Sequence, residues 1–201
     1  MLIKTTYQPA KDLEIKDGVF KTKINGLYYL AFNYFPDNRG FFSEVGYTYK
    51  IETIIGTPFK IAQLNHSRSL DNVVRGLHAE GWNKLTTVTN GTAFSALADV
   101  RPDSTTFAKV ETFLFGEEGL KGSLFIAQGI ANSVCVIKGP VDYLYCVDKL
   151  YQDRDPADDQ AISLFDPDLN INWPIPKDQM IISDRDKQAV TLRQKFPEKF
   201  S

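Results

Sequence analysis

The stretch "KLTTVTNGTAFSALADV", residues 84–100, decides the fold class. β-branched and aromatic residues recur in it with a period close to two, the spacing of a strand with unlike faces. Asn90-Gly91 interrupts it midway, as a hairpin turn or a bulge. The same signature recurs on both sides, in "LYYLAFNYF" (27–35), "FKIAQLNHS" (59–67), "FAKVETFLF" (107–115), "GSLFIA" (122–127), "NSVCVI" (132–137) and "VDYLYCVDKLY" (141–151). Turn signals separate these segments at Pro36-Asp37-Asn38, Arg101-Pro102-Asp103, Gly116 to Gly119 and Gly139-Pro140. One short helix is predicted in "YTYKIETIIG" (47–56), stopped by Gly56. A last helix is predicted through "SDRDKQAVTLRQKF" (183–196), capped by Ser183 and ended by Pro197. So many short strands predict an all-β sandwich or barrel, and a jelly-roll barrel fits the count. Such barrels often hold a ligand pocket at the mouth, lined by alternate residues.

The chain has 201 residues, of which 43% are hydrophobic, enough for one domain with a real core. The core is expected over about 19–151, with a polar, proline-punctuated extension over 152–201 packing on it. A net charge of -2 without a basic block argues against nucleic acid as a partner. It leaves room for a small anion held by a few placed cations. Cys135 and Cys146 sit in apolar runs and read as reduced thiols, with a cross-strand disulfide as the alternative. The start, "MLIKTTYQPAKDLEIKD", has no signal-peptide hydrophobic region, and no apolar run approaches membrane-spanning length. The expectation is a soluble cytoplasmic protein.

The chemistry concentrates in "VVRGLHAEGWNKL" (73–85), which holds His78, one of two histidines. A transition-metal site in such a barrel wants three or four histidines and carboxylates. With only His66 and His78, and Glu80 beside the latter, no metal and no cofactor is expected. No serine stands in a nucleophile elbow, and no glycine-rich phosphate loop precedes a helix. Acid-base chemistry remains. Strict alternation puts Arg75, Leu77 and Ala79 on one face and Gly76, His78 and Glu80 on the other, unless a bulge intervenes. A neutral imidazole is suited to removing a proton next to a carbonyl, given a carboxylate to orient it, a cation for the enolate oxygen and an acid across the ring. Asp166, Lys84 and a tyrosine of "DYLYCVDKLY" are candidates, and alternation alone does not separate Tyr143 from Tyr145.

Eight segments in order carry a resemblance: "DNRGFFSE" (37–44), "QLNHSRS" (63–69), "VVRGLH" (73–78), "KLTTVTNG" (84–91), "DVRPDSTTF" (99–107), "YLYCVDKLY" (143–151), "DPDLNINWP" (166–174) and "ISDRD" (182–186). Over roughly Leu27 to Asp186 the chain resembles the dTDP-4-dehydrorhamnose 3,5-epimerases, metal-free jelly-roll (cupin) nucleotide-sugar epimerases. The resemblance implies His78 as general base, Asp166 as its carboxylate, Lys84 near the enolate oxygen and Tyr145 returning the proton. It implies Arg39 and Arg75 on the diphosphate and Gln63 and Asn65 lining the sugar and phosphate site. Phe42, Glu44 and Tyr151 would hold the nucleoside base. Phe42 and Glu44 would come from a partner subunit, which implies a homodimer with exchanged N-terminal strands.

Two departures stand out. Only "AEGWN" separates His78 from Lys84, where the family has a longer loop, and Asn132 in "QGIANSVCV" (128–136) replaces a second histidine. Asparagine donates and accepts but carries no proton charge. Epimerisation at C3, at C5 or at both therefore stays open, as do the sugar and the nucleoside. A 3,4-ketoisomerase with the same base and a silent nucleotide-sugar-binding cupin are the alternatives.

Overall fold

The computed structural model describes residues 6–200, so the first five residues of the N-terminal stretch lie outside it. In chain order the strands are β1 (Glu14–Lys16), β2 (Val19–Lys21), β3 (Leu27–Ala31), β4 (Asn33–Asp37) and β5 (Gly40–Glu44). After helix α1 (Thr48–Ile55) come β6 (Gln63–Ser69), β7 (Val73–Ala79), β8 (Lys84–Asp99), β9 (Val110–Gly116), β10 (Gly122–Ile126) and β11 (Ile130–Val147). The extension adds β12 (Gln160–Ala161), β13 (Ile181–Ile182), α2 (Asp184–Lys187) and α3 (Leu192–Lys195).

Two long strands organise the barrel. β8 and β11 pair along their lengths inside one continuous eleven-stranded sheet that folds into two facing layers, the two sheets of the barrel, and each serves both. Near its start β8 pairs β10, and further on it pairs β9. β11 pairs β7 first and β6 later. Both pass from one sheet to the other where the register slips, between Val136 and Tyr143 on β11 and Ala93 and Val88 on β8. Asn90-Gly91 is thus a bulge inside one strand and not a hairpin turn. Gly91 has φ +77°, and a Cβ there would stand 2.5 Å from the Pro140 carbonyl oxygen. Gly139-Pro140 likewise bends β11 without ending it, and "LYYLAFNYF" divides at Phe32 between β3 of the barrel and the separate two-stranded β4–β5 ribbon.

Inward residues of both sheets, including Leu97, Phe113, Phe115, Leu124, Val134 and Val136, form the central core. Alternate residues face outward and need cover. α1 lays Ile51 over Leu30, Leu85 and Phe125 on one sheet. The extension lays Ile162, Leu164, Trp173 and Leu192 over Val74, Leu77, Phe94 and Ala96 on the other. Burying each such side chain stabilises by about 1.5–3 kcal/mol, so the extension is part of the fold.

The helix predicted over 183–196 is broken. Val190 bridges to Ile162, and its carbonyl accepts from the Ser163 N–H at 2.8 Å, which takes the backbone out of helical pairing. Ser183 caps only the first piece, accepting from the Asp186 N–H at 3.2 Å, and Thr191 starts the second with a capping box. Both cysteines are unpaired and lie on the same strand, β11. Burial pushes the Cys135 thiol up to about 12, which makes it unreactive. Among the described residues no helix is long and apolar enough to cross a membrane.

Candidate active site

A cavity of about 480 Å³ opens between β7, β11 and the β13–α2 segment. Arg75, His78, Glu80, Lys84, Asn132, Tyr143, Tyr145 and Asp186 all reach it. That His78 and Arg75 share it follows from a bulge. His78 pairs with Asn132 and Arg75 with Val134, so three residues of β7 oppose two of β11. Gly76 absorbs the extra residue at φ +122°, where a Cβ would stand 2.6 Å from the Asn132 carbonyl oxygen. The bulge brings Arg75 round to the face of His78 and Glu80, while Leu77 and Ala79 enter the outer core.

The carboxylate on His78 is Asp186, not Asp166. His78 Nε2 lies 2.6 Å from Asp186 Oδ1. Asp186 is buried at the first turn of α2, where the Gly76 N–H also donates to its Oδ2 at 3.3 Å. Burial works against ionisation of Asp186. The His78 hydrogen bond and charge, the Gly76 N–H and the Ser183 hydroxyl outweigh it and hold the carboxyl below the usual range. An ionised Asp186 only accepts, so Nε2 carries the imidazole proton and Nδ1 presents the lone pair.

Asp166 does structural work instead. Its Oδ1 accepts from the N–H groups of Asp168 at 2.8 Å and Leu169 at 3.0 Å, and its Oδ2 from Leu192 at 2.6 Å. It closes the Asp-Pro turn and ties it to α3, as the bare turn reading of Asp-Pro suggests. The signal for Asp186 was in "ISDRD": the Ser-x-x-Asp cap fixes the position of its backbone beside β7.

Lys84 is buried on the inward face of β8, so it is not a solvated strand end. Its Nζ donates to Glu80 Oε1 at 3.0 Å, Glu80 Oε2 at 2.9 Å and Asn132 Oδ1 at 2.9 Å. Glu80, which the sequence offers only as a weak metal ligand, is thus the counter-ion of Lys84. Among the described residues no group of three His, Cys, Asp or Glu is arranged to hold a metal ion.

Of the two tyrosines, Tyr143 packs against the central core. Tyr145 lies with its ring centroid 5.3 Å from Lys84 Nζ. Burial, then Glu80, raises the Tyr145 phenol, so it keeps its proton. Arg75 donates from Nε to Ser69 Oγ at 2.9 Å, which orients its terminal nitrogens. Gln63 and Asn65 share the inward face of β6 with Ser67, a residue of the cavity wall, and bond each other at 2.6 Å. Tyr151 donates its N–H to Gln63 at 3.1 Å and stacks on Arg154 at 3.8 Å, with the buried Trp82 ring 6.3 Å away. Trp82 therefore fills the short loop.

Arg39, Phe42 and Glu44 lie away from this cavity. They sit on the separate β4–β5 ribbon, where Phe42 is 65% exposed, Arg39 pairs with Asp37, and Glu44 accepts from Asn33.

Fold and site together define a β-barrel whose pocket gathers an imidazole bonded to a buried carboxylate, a protonated phenol and an ammonium. The dTDP-4-dehydrorhamnose 3,5-epimerase family matches over residues 21–194, and the chain belongs to this family of isomerases. Relatives include the dTDP-4-dehydrorhamnose 3,5-epimerase of Escherichia coli, 33% identical over 87% of this chain and 94% of that one. A dTDP-4-dehydrorhamnose 3-epimerase of Streptomyces niveus is 28% identical over 84% of this chain and 81% of that one. The solved 3,5-epimerase of Legionella pneumophila, in complex with dTDP-4-keto-L-rhamnose, superposes with a TM-score of 0.79 at 29% identity, covering 90% of this chain and 95% of that one.

Proposed function

We propose that this protein epimerises a nucleotide-diphospho-4-keto-6-deoxy sugar of the dTDP-4-dehydro-6-deoxyglucose type in deoxysugar biosynthesis. The observation that carries this is the His78–Asp186 pair in one cavity with Tyr145 and Lys84. His78 Nδ1 takes the proton from the carbon beside the C4 ketone. The C–H electron pair becomes the enolate double bond, and the carbonyl pair moves onto oxygen. Asp186 stabilises the imidazolium. The Lys84 charge stabilises the oxygen. Tyr145 then delivers its proton to the opposite face and the ketone re-forms. His78 releases its proton to solvent and Tyr145 regains one from it. Arg75 holds the diphosphate by paired hydrogen bonds, with Gln63, Asn65 and Tyr151 toward the nucleotide.

The relatives named above include both a 3,5-epimerase and a 3-epimerase, so the position of attack is a property to measure. The exposed Phe42 and Arg39 support a second copy whose ribbon completes the pocket. The free thiols support a reducing, cytoplasmic setting.

The test is incubation with dTDP-4-keto-6-deoxyglucose in D2O. Deuterium entering C3, C5 or both is expected and reports the position. Saturable binding without exchange at either carbon sinks the epimerase reading. For the paired assembly, mixing His78→Asn with Arg39→Ala protein should restore part of the activity. Failure of two folded variants to complement would count against shared sites.

A further inference from the structure

Glu80 borders two cavities. One is the cavity of about 480 Å³ that holds His78, Lys84 and Tyr145. The other, of about 190 Å³, is lined by Gly81 of the short loop, Arg101, Gln128, Asp158, Gln160 and Glu80 itself. Among the described residues Glu80 alone belongs to both walls. At about 30 Å³ per water the second cavity has room for roughly six, and its polar walls suit them.

Glu80 also stands behind Lys84. Both of its carboxylate oxygens accept from Lys84 Nζ, at 3.0 and 2.9 Å. Lys84 Nζ in turn lies 5.3 Å from the centroid of the Tyr145 ring. The Glu80 side chain is 16% exposed against 7% for Lys84, so solvent reaches the carboxylate more readily than the ammonium. The order is second cavity, Glu80, Lys84, Tyr145.

That order answers a need of the reaction. Tyr145 becomes a phenolate each time it delivers its proton, and a half-buried phenolate is costly to keep. A sugar in the first cavity displaces the water there. The returning proton then has to arrive from another side.

We propose that Glu80 is the proton-return group of this site, passing protons from water in the second cavity through Lys84 to Tyr145. Lys84 gives an N–H proton to the phenolate, directly or through one water. The nitrogen lone pair left behind takes the proton of a Glu80 carboxylic acid, which has drawn it from the second cavity. Tyr145 gains one proton, the water of the second cavity loses one, and Lys84 and Glu80 end as they began. The proton taken from carbon leaves His78 by the first cavity. This rests on the epimerase reading and adds the route by which its acid is reloaded. Glu80 acts through Lys84 and need not touch the sugar.

The test is rapid-quench measurement of deuterium entry from dTDP-4-keto-6-deoxyglucose in weakly buffered D2O. In Glu80→Gln the first deuterium per site should enter at the wild-type rate or faster, because Tyr145 starts loaded and Lys84 loses its counter-charge. Later turnovers should slow by at least about 10²-fold. Added imidazole buffer, a small proton carrier, should restore most of that loss. First and later turnovers slowed alike would mean that Glu80 only holds Lys84, and would overturn the relay. So would unchanged later turnovers, or a loss that buffer does not relieve. Should Glu80→Gln lose dTDP binding through misfolding, Gln160→Phe fills the second cavity, leaves Glu80 on Lys84, and is read by the same outcomes. Absence of exchange by the wild-type protein overturns the epimerase reading and the relay together. Exchange by wild type with undiminished later turnovers in Glu80→Gln overturns only the relay.

Discussion

His78 and His66 make the same contact in two settings. Each brings Nε2 to an aspartate, His78 to Asp186 at 2.6 Å and His66 to Asp142 at 2.8 Å. The surroundings separate them. The Asp186 side chain is 3% exposed and, among the described residues, only His78 forms an ion-pair contact with it, whereas His66 is 55% exposed and shares Asp142 with Arg68. Arg68 donates to both Asp142 oxygens, at 2.8 and 2.7 Å, so that charge is already satisfied by a permanent cation in contact with water. A carboxylate in such a pair has little left with which to stabilise an imidazolium. The buried one, screened by little solvent, has more. A histidine–aspartate contact alone is therefore no sign of chemistry; burial, with no second cation hydrogen-bonded to the carboxylate, is.

The comparison breaks most sharply at the bases. His78→Asn should reduce solvent exchange into the sugar by at least about 10³-fold while dTDP binding persists. His66→Asn should stay within about two-fold. Equal losses in both variants, measured by mass increase of the sugar in D2O, would dissolve the distinction.

Next come the aspartates. Asp186→Asn should lower kcat by about 10²–10⁴-fold with the melting temperature little changed, the larger figure matching loss of the orienting aspartate in serine proteases. Asp166→Asn should do the reverse. It leaves the Leu192 N–H poorly matched in a buried site, at a cost of about 1–3 kcal/mol, and kcat per folded molecule should hold. Thermal melts beside initial rates separate the two, and a kcat collapse in Asp166→Asn at unchanged Tm would return it to the site.

A gentler test uses alkaline pH. The Tyr145 phenol is raised from its ordinary 10.0, by burial and then by Glu80. Its acid form therefore persists above pH 10, and the alkaline limb of kcat should lie beyond the ordinary phenol range. A limb below pH 9 that vanishes in Tyr145→Phe would contradict this.

The smallest effect belongs to the surface pair. Arg68 first, then His66, hold the Asp142 carboxyl down to about 2. A depressed carboxylate adds stability above its unfolded value, near 3.9, and that stability is lost as pH falls toward 2. The Tm difference between wild type and Asp142→Asn should be small at pH 7 and close over this window. A difference that widens on acidification would reverse the sign.

The strands of the barrel were legible because their period-two patterning is local, and α1 because Gly56 stops it in the left-handed region, at φ 73°. The last helix was misread because the competing partner of Val190, Ile162, is remote in sequence. Glu80 and Lys84 were each visible near His78, yet their pairing with each other was not. The bulge at Gly76 that places both of them also escapes an alternation rule.

The sequence by itself determined the β-rich class, the family, and the residue types available for proton transfer, since these depend on local patterning and on ordered motifs. Only the tertiary structure decided which carboxylate meets His78. Asp166 and Asp186 both stand in matching motifs, and nothing local distinguishes them. The choice is made by the backbone N–H groups that claim Asp166 for the turn and by the α2 cap that carries Asp186 to β7. An ionised carboxylate buried in a fold goes where donors satisfy it, and the positions of those donors are a property of the whole chain.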